Sequence, residues 1–262
     1  MKRVTAIERK INRKELLTKD ELIFLYEIEA PIQGFGRGND PRVAKIRETR
    51  NLKEDALIVL DCRLDQIATS EKEIRPDIKA YIGPLFPGIF KLHIENIFTR
   101  FPDQKVIKEK VEVDYGQSLE QMIAAGKYDW KNGDINEKNF PRKRSAKTAL
   151  KNIFGKEKEK TEIEVIAVAF GETLTTKQIE DRLDALGLRP ATLEELLALG
   201  AAKPDLQRKS WIVALGSDFV DSDGGRGVPC LNENSGRREL GLSWGFPGSQ
   251  WGPDNRFLAV RK

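Results

Sequence analysis

The chain has 262 residues, 39% of them hydrophobic and 33% charged, and its 45 basic and 41 acidic residues leave a net charge of only +4. That length suits one large domain or two smaller ones with cores of their own, and the mixed signs argue against a disordered polyelectrolyte and against the continuous positive face that nucleic acid requires. Two distant cysteines, Cys62 and Cys230, and a single histidine, His93, exclude a disulfide framework and a structural zinc site.

The N-terminus is basic with no apolar stretch behind it, so it does not read as a secretory leader. No run approaches the ~18 apolar residues of a membrane span, and the expectation is a cytoplasmic protein. Residues 1–17 have helical period. Thr18-Lys-Asp-Glu21 has the form of a capping box, opening a helix with Leu22, Leu25, Tyr26 and Ile28 on its apolar face and Pro31 at its end. Gln33-Gly-Phe-Gly-Arg-Gly38 reads as a loop. It follows a helix and a proline rather than a strand, which removes the context a phosphate-binding loop needs. Asp40-Pro41 caps the next helix. Ala56-Leu-Ile-Val-Leu60 is a short apolar run, expected to be a buried strand, and Ile78–Ile82 and Ile94–Thr99 read as further strands. Residues 105–114 suit an edge strand guarded by lysines, and Ser118-Leu-Glu-Gln121 caps a helix that stops at Gly126. Residues 1–131 are therefore expected to form a mixed α/β domain, followed by a basic linker over 132–160. Pro141-Arg-Lys-Arg144 lies in that linker. It lacks the interleaved aromatics of a nucleic-acid site and reads as a solvated charge run.

The pattern changes after Lys160. Glu162–Phe170 reads as a strand. Thr175 or Thr176 caps a helix carrying Ile179, Leu183 and Leu186 and ended by Gly187, and Leu188-Arg-Pro190 is a break. Thr192-Leu-Glu-Glu195 opens a second helix carrying Leu193, Leu196, Leu197 and Leu199 and expected to stop before Gly200. Trp211–Leu215 reads as a strand, short apolar islands follow at Val228, Cys230-Leu231, Leu240, Leu242 and Trp244, and Arg256–Val260 closes the chain.

Three segments in this order, Leu188-Arg-Pro-Ala-Thr-Leu-Glu-Glu195, Trp211-Ile-Val-Ala-Leu-Gly216 and Trp244 with Trp251-Gly-Pro-Asp-Asn-Arg-Phe-Leu-Ala-Val-Arg261, resemble the C-type-lectin fold. The form is that of variable proteins of diversity-generating retroelements and of formylglycine-generating-enzyme-like domains, and the match spans about residues 162–262. The resemblance implies an α+β protein in which an N-terminal mixed α/β domain precedes a C-type-lectin-like domain at 161–262. It also implies a non-catalytic display protein that binds a protein or other macromolecular ligand through C-terminal loops. Trp211, Leu215, Leu231, Leu242, Trp244, Phe257 and Val260 would then be scaffold. Asn232, Glu233, Asn234, Ser235, Arg238, Glu239, Ser243, Phe246, Ser249, Gln250, Asp254 and Asn255 would form an exposed binding face, since loops on a rigid core are where binding concentrates.

Two departures narrow the resemblance. Cys230 stands alone, without the second cysteine a copper-dependent formylglycine site needs. Trp251-Gly-Pro-Asp254-Asn255 has different spacing from the lectin Trp-Asn-Asp motif, and Asp218, Asp221 and Asp223 read as a charged turn rather than calcium ligands. No cofactor and no metal is expected. The alternative reading is an enzyme with an N-terminal site around Asp61, Cys62 and His93, because Asp61 follows the apolar run at the position where α/β folds place functional carboxylates.

Overall fold

Helix α2 (Lys19–Leu25) begins where its sequence signal lies. Glu21 N–H donates to the Thr18 hydroxyl at 3.3 Å and Thr18 N–H donates to the Glu21 carboxylate at 2.9 Å, so each satisfies an otherwise orphaned backbone donor. The computed structural model describes residues 2–28, 32, 40–141 and 160–262. The loop at 33–38 and the basic run from 142 lie outside them. The class is α+β, and the chain divides into two units, Met1–Val106 and Ile107–Lys262.

In the first unit, α1 (Lys2–Asn12), α2, α3 (Pro41–Glu48) and α4 (Leu52–Val59) share a core that includes Val4, Ile7, Leu22, Leu25, Val43, Ile46 and Val59. Asp40 caps α3 through Arg42 N–H at 3.1 Å, with Pro41 in the first turn. A small sheet follows, β1 (Ile67–Ala68), β2 (Ala80–Ile82), β3 (Asn96–Arg100) and β4 (Gln104–Lys105), in that spatial order, parallel except for the final pair. The expected strand at 56–60 is instead the end of α4. Asn51 caps that helix by accepting from Lys53 N–H at 3.2 Å, and Ala56, Val59 and Leu60 fall at i, i+3 and i+4 on its buried side. On the same helix Asp55, 2% exposed, accepts two hydrogen bonds from Arg50 and one from the Tyr26 hydroxyl, all at 2.5 Å. Burial and that carboxylate push the Tyr26 phenol well above its usual range.

The second unit is built on β5 (Ile107–Asp114), β6 (Trp130–Lys131), β7 (Lys160–Val168), β10 (Ile212–Val213), β12 (Arg226–Asn234), β13 (Arg237–Trp244) and β15 (Arg256–Arg261). They are arranged β5-β7-β15-β10-β12-β13-β6. β9 (Leu188–Pro190) adds to β15, β11 (Phe219–Val220) adds to β12, and β8 (Leu174–Thr175) pairs separately with β14 (Gln250–Trp251). Helices α5 (Leu119–Ala125), α6 (Thr176–Ala185) and α7 (Leu193–Ala202) complete it. β5 is an edge strand, as its lysines suggest, but it runs antiparallel to β7 from Ile107↔Ala167 to Asp114↔Lys160 and so belongs to the second unit. Ile135 and Phe140 are buried in this unit's core. The division therefore falls after Val106 rather than at 131, and the described part of the expected linker, residues 132–141, is packed structure. The break at Leu188–Pro190 is strand β9, held to β15.

Helix α7 runs through Gly200 to Ala202. A Cβ at Gly200 would collide with the Tyr128 hydroxyl and come within 3.0 Å of Leu231, so the glycine is there for close approach rather than as a stop. The N-terminus of α7 is held by Glu195, which accepts from Thr192 N–H at 2.8 Å, and by the Ser217 hydroxyl, which accepts from Leu193 N–H at 2.9 Å.

Candidate binding surface

The hairpin of β12 and β13 decides where the expected binding residues lie. Ser235 (φ 54°) and Gly236 (φ 84°) form its two-residue turn, both left-handed, the twist that joins antiparallel strands without splaying them. From this tip the pairing runs without a slip from Asn234↔Arg237 to Gly227↔Trp244. Asn234 and Ser235 are exposed at the tip, and Glu233 is half-buried beside them. Ser243 and Phe246 lie at the open end, about 23 Å away along β12 at ~3.3 Å per residue. Ser249 and Gln250 sit on the β8–β14 pair. Asp254 and Asn255 precede β15, whose first residue, Arg256, is level with Ile212 and Leu231. The twelve residues do not share one face.

Three of them are not on a face at all. Asn232, Arg238 and Glu239 are each at most 8% exposed. The Arg238 guanidinium donates to the carbonyls of Pro204 (3.0 Å), Gly126 (2.8 Å) and Gly200 (2.9 Å) and to the Gln207 side-chain oxygen (3.1 Å). It also lies 5.2 Å over the Tyr128 ring, while its backbone N–H donates to Asp129 at 2.7 Å. Gln207 in turn donates to the carbonyls of Asn232 and Glu239. The polar string that reads as a ligand-contacting loop is largely an internal joint, tying β13 to the C-terminal ends of α5 and α7, where helix carbonyls lack internal partners.

The exposed aromatic surface is elsewhere. Trp244 is 61% exposed and Phe246 42%, and their rings stack at 6.4 Å and 18°. Val220, 60% exposed, is on β11 at the same end. Trp244 was expected to be scaffold. Its cross-strand partner is Gly227, which has no side chain to cover it, and its ring lies instead over Gly225, 2.7 Å from where a Cβ would sit. Trp211, also expected as scaffold, is 45% exposed. The buried tryptophan is Trp251, whose Nε1–H donates to the Thr176 hydroxyl at 2.8 Å and whose ring meets Phe257 edge-on at 5.6 Å. Leu215, Leu231, Phe257 and Val260 are buried, and Leu242 is half-buried against the core.

Around the aromatic pair, Arg226 donates to Asp218 at 2.7 Å, to Glu180 at 3.4 Å and to the Gly245 carbonyl at 2.6 Å, pinning the chain just before Phe246. Asp221 Oδ1 accepts from the backbone of Asp223 and Gly225, closing the turn before β12. Asp218, Asp221 and Asp223 are thus engaged in a turn and an ion pair. Among the described residues no group of three histidine, cysteine or acidic side chains is arranged to hold a metal. Cys230 is buried and its thiol pushed up to about 12 by desolvation, so it stays protonated at neutral pH.

The alternative site in the first unit finds no geometry. Asp61 is exposed in a left-handed conformation just after α4 and pairs with Lys19 at 3.7 Å. His93 is exposed, and burial raises the half-buried Cys62 thiol, the opposite of nucleophile activation. Among the described residues no hydrogen bond or ion pair joins the three, and the groove between α1 and α3, lined by Glu8, Arg42, Lys45 and Thr49, includes none of them.

Among the described residues, no helix is long and apolar enough to cross a membrane. No protein-family model matches the chain, and no curated protein or solved structure matches it either.

Proposed function

We propose that the second unit is a non-catalytic binding module of C-type-lectin-like design that holds a protein or other macromolecular ligand at the open end of the β12–β13 hairpin. The observation that carries this reading is the exposed, stacked pair Trp244–Phe246. Large aromatic side chains left uncovered on a packed framework are what binding surfaces use, because contact area is presented at low entropy cost. From β7 onward the framework supports it: a strand, two helices, short strands and a closing strand in that order, with the closing strand β15 antiparallel to β7.

The test begins with stability. Trp244→Ala is expected to change unfolding free energy by less than about 1 kcal/mol, as for exposed sites generally. A loss above about 3 kcal/mol would make Trp244 scaffold and end the proposal. A display library of random peptides panned against wild type and Trp244→Ala should then yield binders retained only by wild type. A diversifying retroelement would be recognised by a near-copy of the last forty codons elsewhere in the source genome, differing mainly at adenines. The altered codons should then fall at exposed positions such as Phe246 and Gln250, and not at Arg238.

A further inference from the structure

We infer that the ligand held by Trp244 and Phe246 is a cationic segment of a partner polypeptide, one that places lysine or arginine side chains over the stacked rings; this rests on the binding surface proposed above. The argument is one of charge complementarity. Arg226 bridges two carboxylates, Asp218 and Glu180, and two more, Asp221 and Asp223, stand in the turn that leads into β12. Lys177, whose backbone N–H donates to Pro247, is already paired with Asp181. The rim of the aromatic surface therefore has an excess of negative charge, although the chain as a whole is at +4.

Charge and ring are in register. The Asp221 carboxylate and the edge of the Trp244 ring approach the same point above Gly225. Oδ1 of Asp221 is used by its own turn, and Oδ2 is the oxygen beside the ring. An electron-rich aromatic face next to a carboxylate attracts a cation twice, through the ring quadrupole and through the formal charge. The acidic rim repels phosphate, which disfavours nucleic acid here. The rings also lie open instead of lining a cleft. Such a platform does not enclose a small cation, whereas an extended polypeptide can span it and supply apolar contact to Phe246.

The test is fluorescence anisotropy with three labelled peptides of equal length in which Gly-Ser alternates with arginine, glutamine or glutamate, titrated with the full chain. The arginine peptide should bind most tightly. Trp244→Ala should weaken it at least about fivefold, the order expected of a lost cation–π contact. Asp221→Asn with Asp223→Asn, which keeps the turn's acceptor oxygens, should weaken it similarly, and affinity should fall as salt rises. Equal or tighter Trp244-dependent binding of the glutamine or glutamate peptide would overturn the charge assignment and leave the binding surface standing. Arginine-peptide binding that ignores Trp244→Ala, or no binding of any of the three, also overturns it. The surface itself is then judged separately by the random library.

Discussion

Replacing Arg238 with alanine separates an internal joint from a ligand contact. The guanidinium makes four hydrogen bonds of 2.8–3.1 Å, to Pro204, Gly126, Gly200 and Gln207, at a position 7% exposed. Each hydrogen bond from a charged donor contributes roughly 1.5–3 kcal/mol, but the four share one side chain and do not add. Arg238→Ala leaves those neutral acceptors buried without their donor, at about 1–3 kcal/mol for each, and because they do not add fully the expected loss is about 3–5 kcal/mol. Arg238→Lys keeps the charge but not the planar fork, and should lose about half as much. All four tryptophans, Trp130, Trp211, Trp244 and Trp251, are in the second unit, so their emission during urea unfolding follows that unit alone. With a slope of ~2 kcal/mol/M, the midpoint of Arg238→Ala should fall by about 1.5–2.5 M. A loss under about 1 kcal/mol would refute the joint and return Arg238 to the ligand-contacting set.

Other outcomes follow from the same unit. Tyr128→Phe should leave stability unchanged or raise it by up to about 1 kcal/mol in the same urea assay, since the Tyr128 hydroxyl is buried with no partner among the described residues; a loss beyond that would reveal one. Glu195→Gln should cost about 2–4 kcal/mol. Glu195 is 1% exposed, accepts from Arg189 at 2.6 and 3.0 Å, and holds the Thr192 amide, and a thermal melt unchanged within error would contradict this. A thiol reagent at pH 8 should modify Cys62 and spare Cys230 until the chain unfolds. Because the folded pKa of Cys230 is raised above its unfolded value of about 9, its neutral-thiol contribution is complete below that pH. It is lost as pH rises toward about 12. Stability measured from pH 8 to 11 should therefore fall more steeply for wild type than for Cys230→Ala, and parallel curves would count against it.

Local signals were the legible part of the fold. The boxes at Thr18, Ser118 and Thr192 each start a helix where their residues predict, because a cap is a contact between neighbours in sequence. The run at 56–60 failed for a physical reason: five apolar residues suit a buried strand or one face of a short helix, and the deciding feature, Asn51, stands five residues upstream of it. The domain boundary was hidden for a different reason. β5 finds its partner β7 across the segment outside the described residues, and nothing in Ile107–Asp114 alone states which sheet it joins.

The candidate surface was more legible than hydrophobicity suggests. Asn234-Ser-Gly-Arg237 is a two-residue turn signal, and reading it as a loop tip put Asn232, Arg238 and Glu239 outside when the strands on either side take them in. Counting outward from Ser235 and Gly236 pairs Trp244 with Gly227, beyond Leu240 and Leu242, which cover the core. A tryptophan that is one step past the core, opposite a residue with no side chain, has nothing to bury it. Its exposure, and with it the proposed binding surface, follows from the register of one hairpin rather than from the apolar character of the residue.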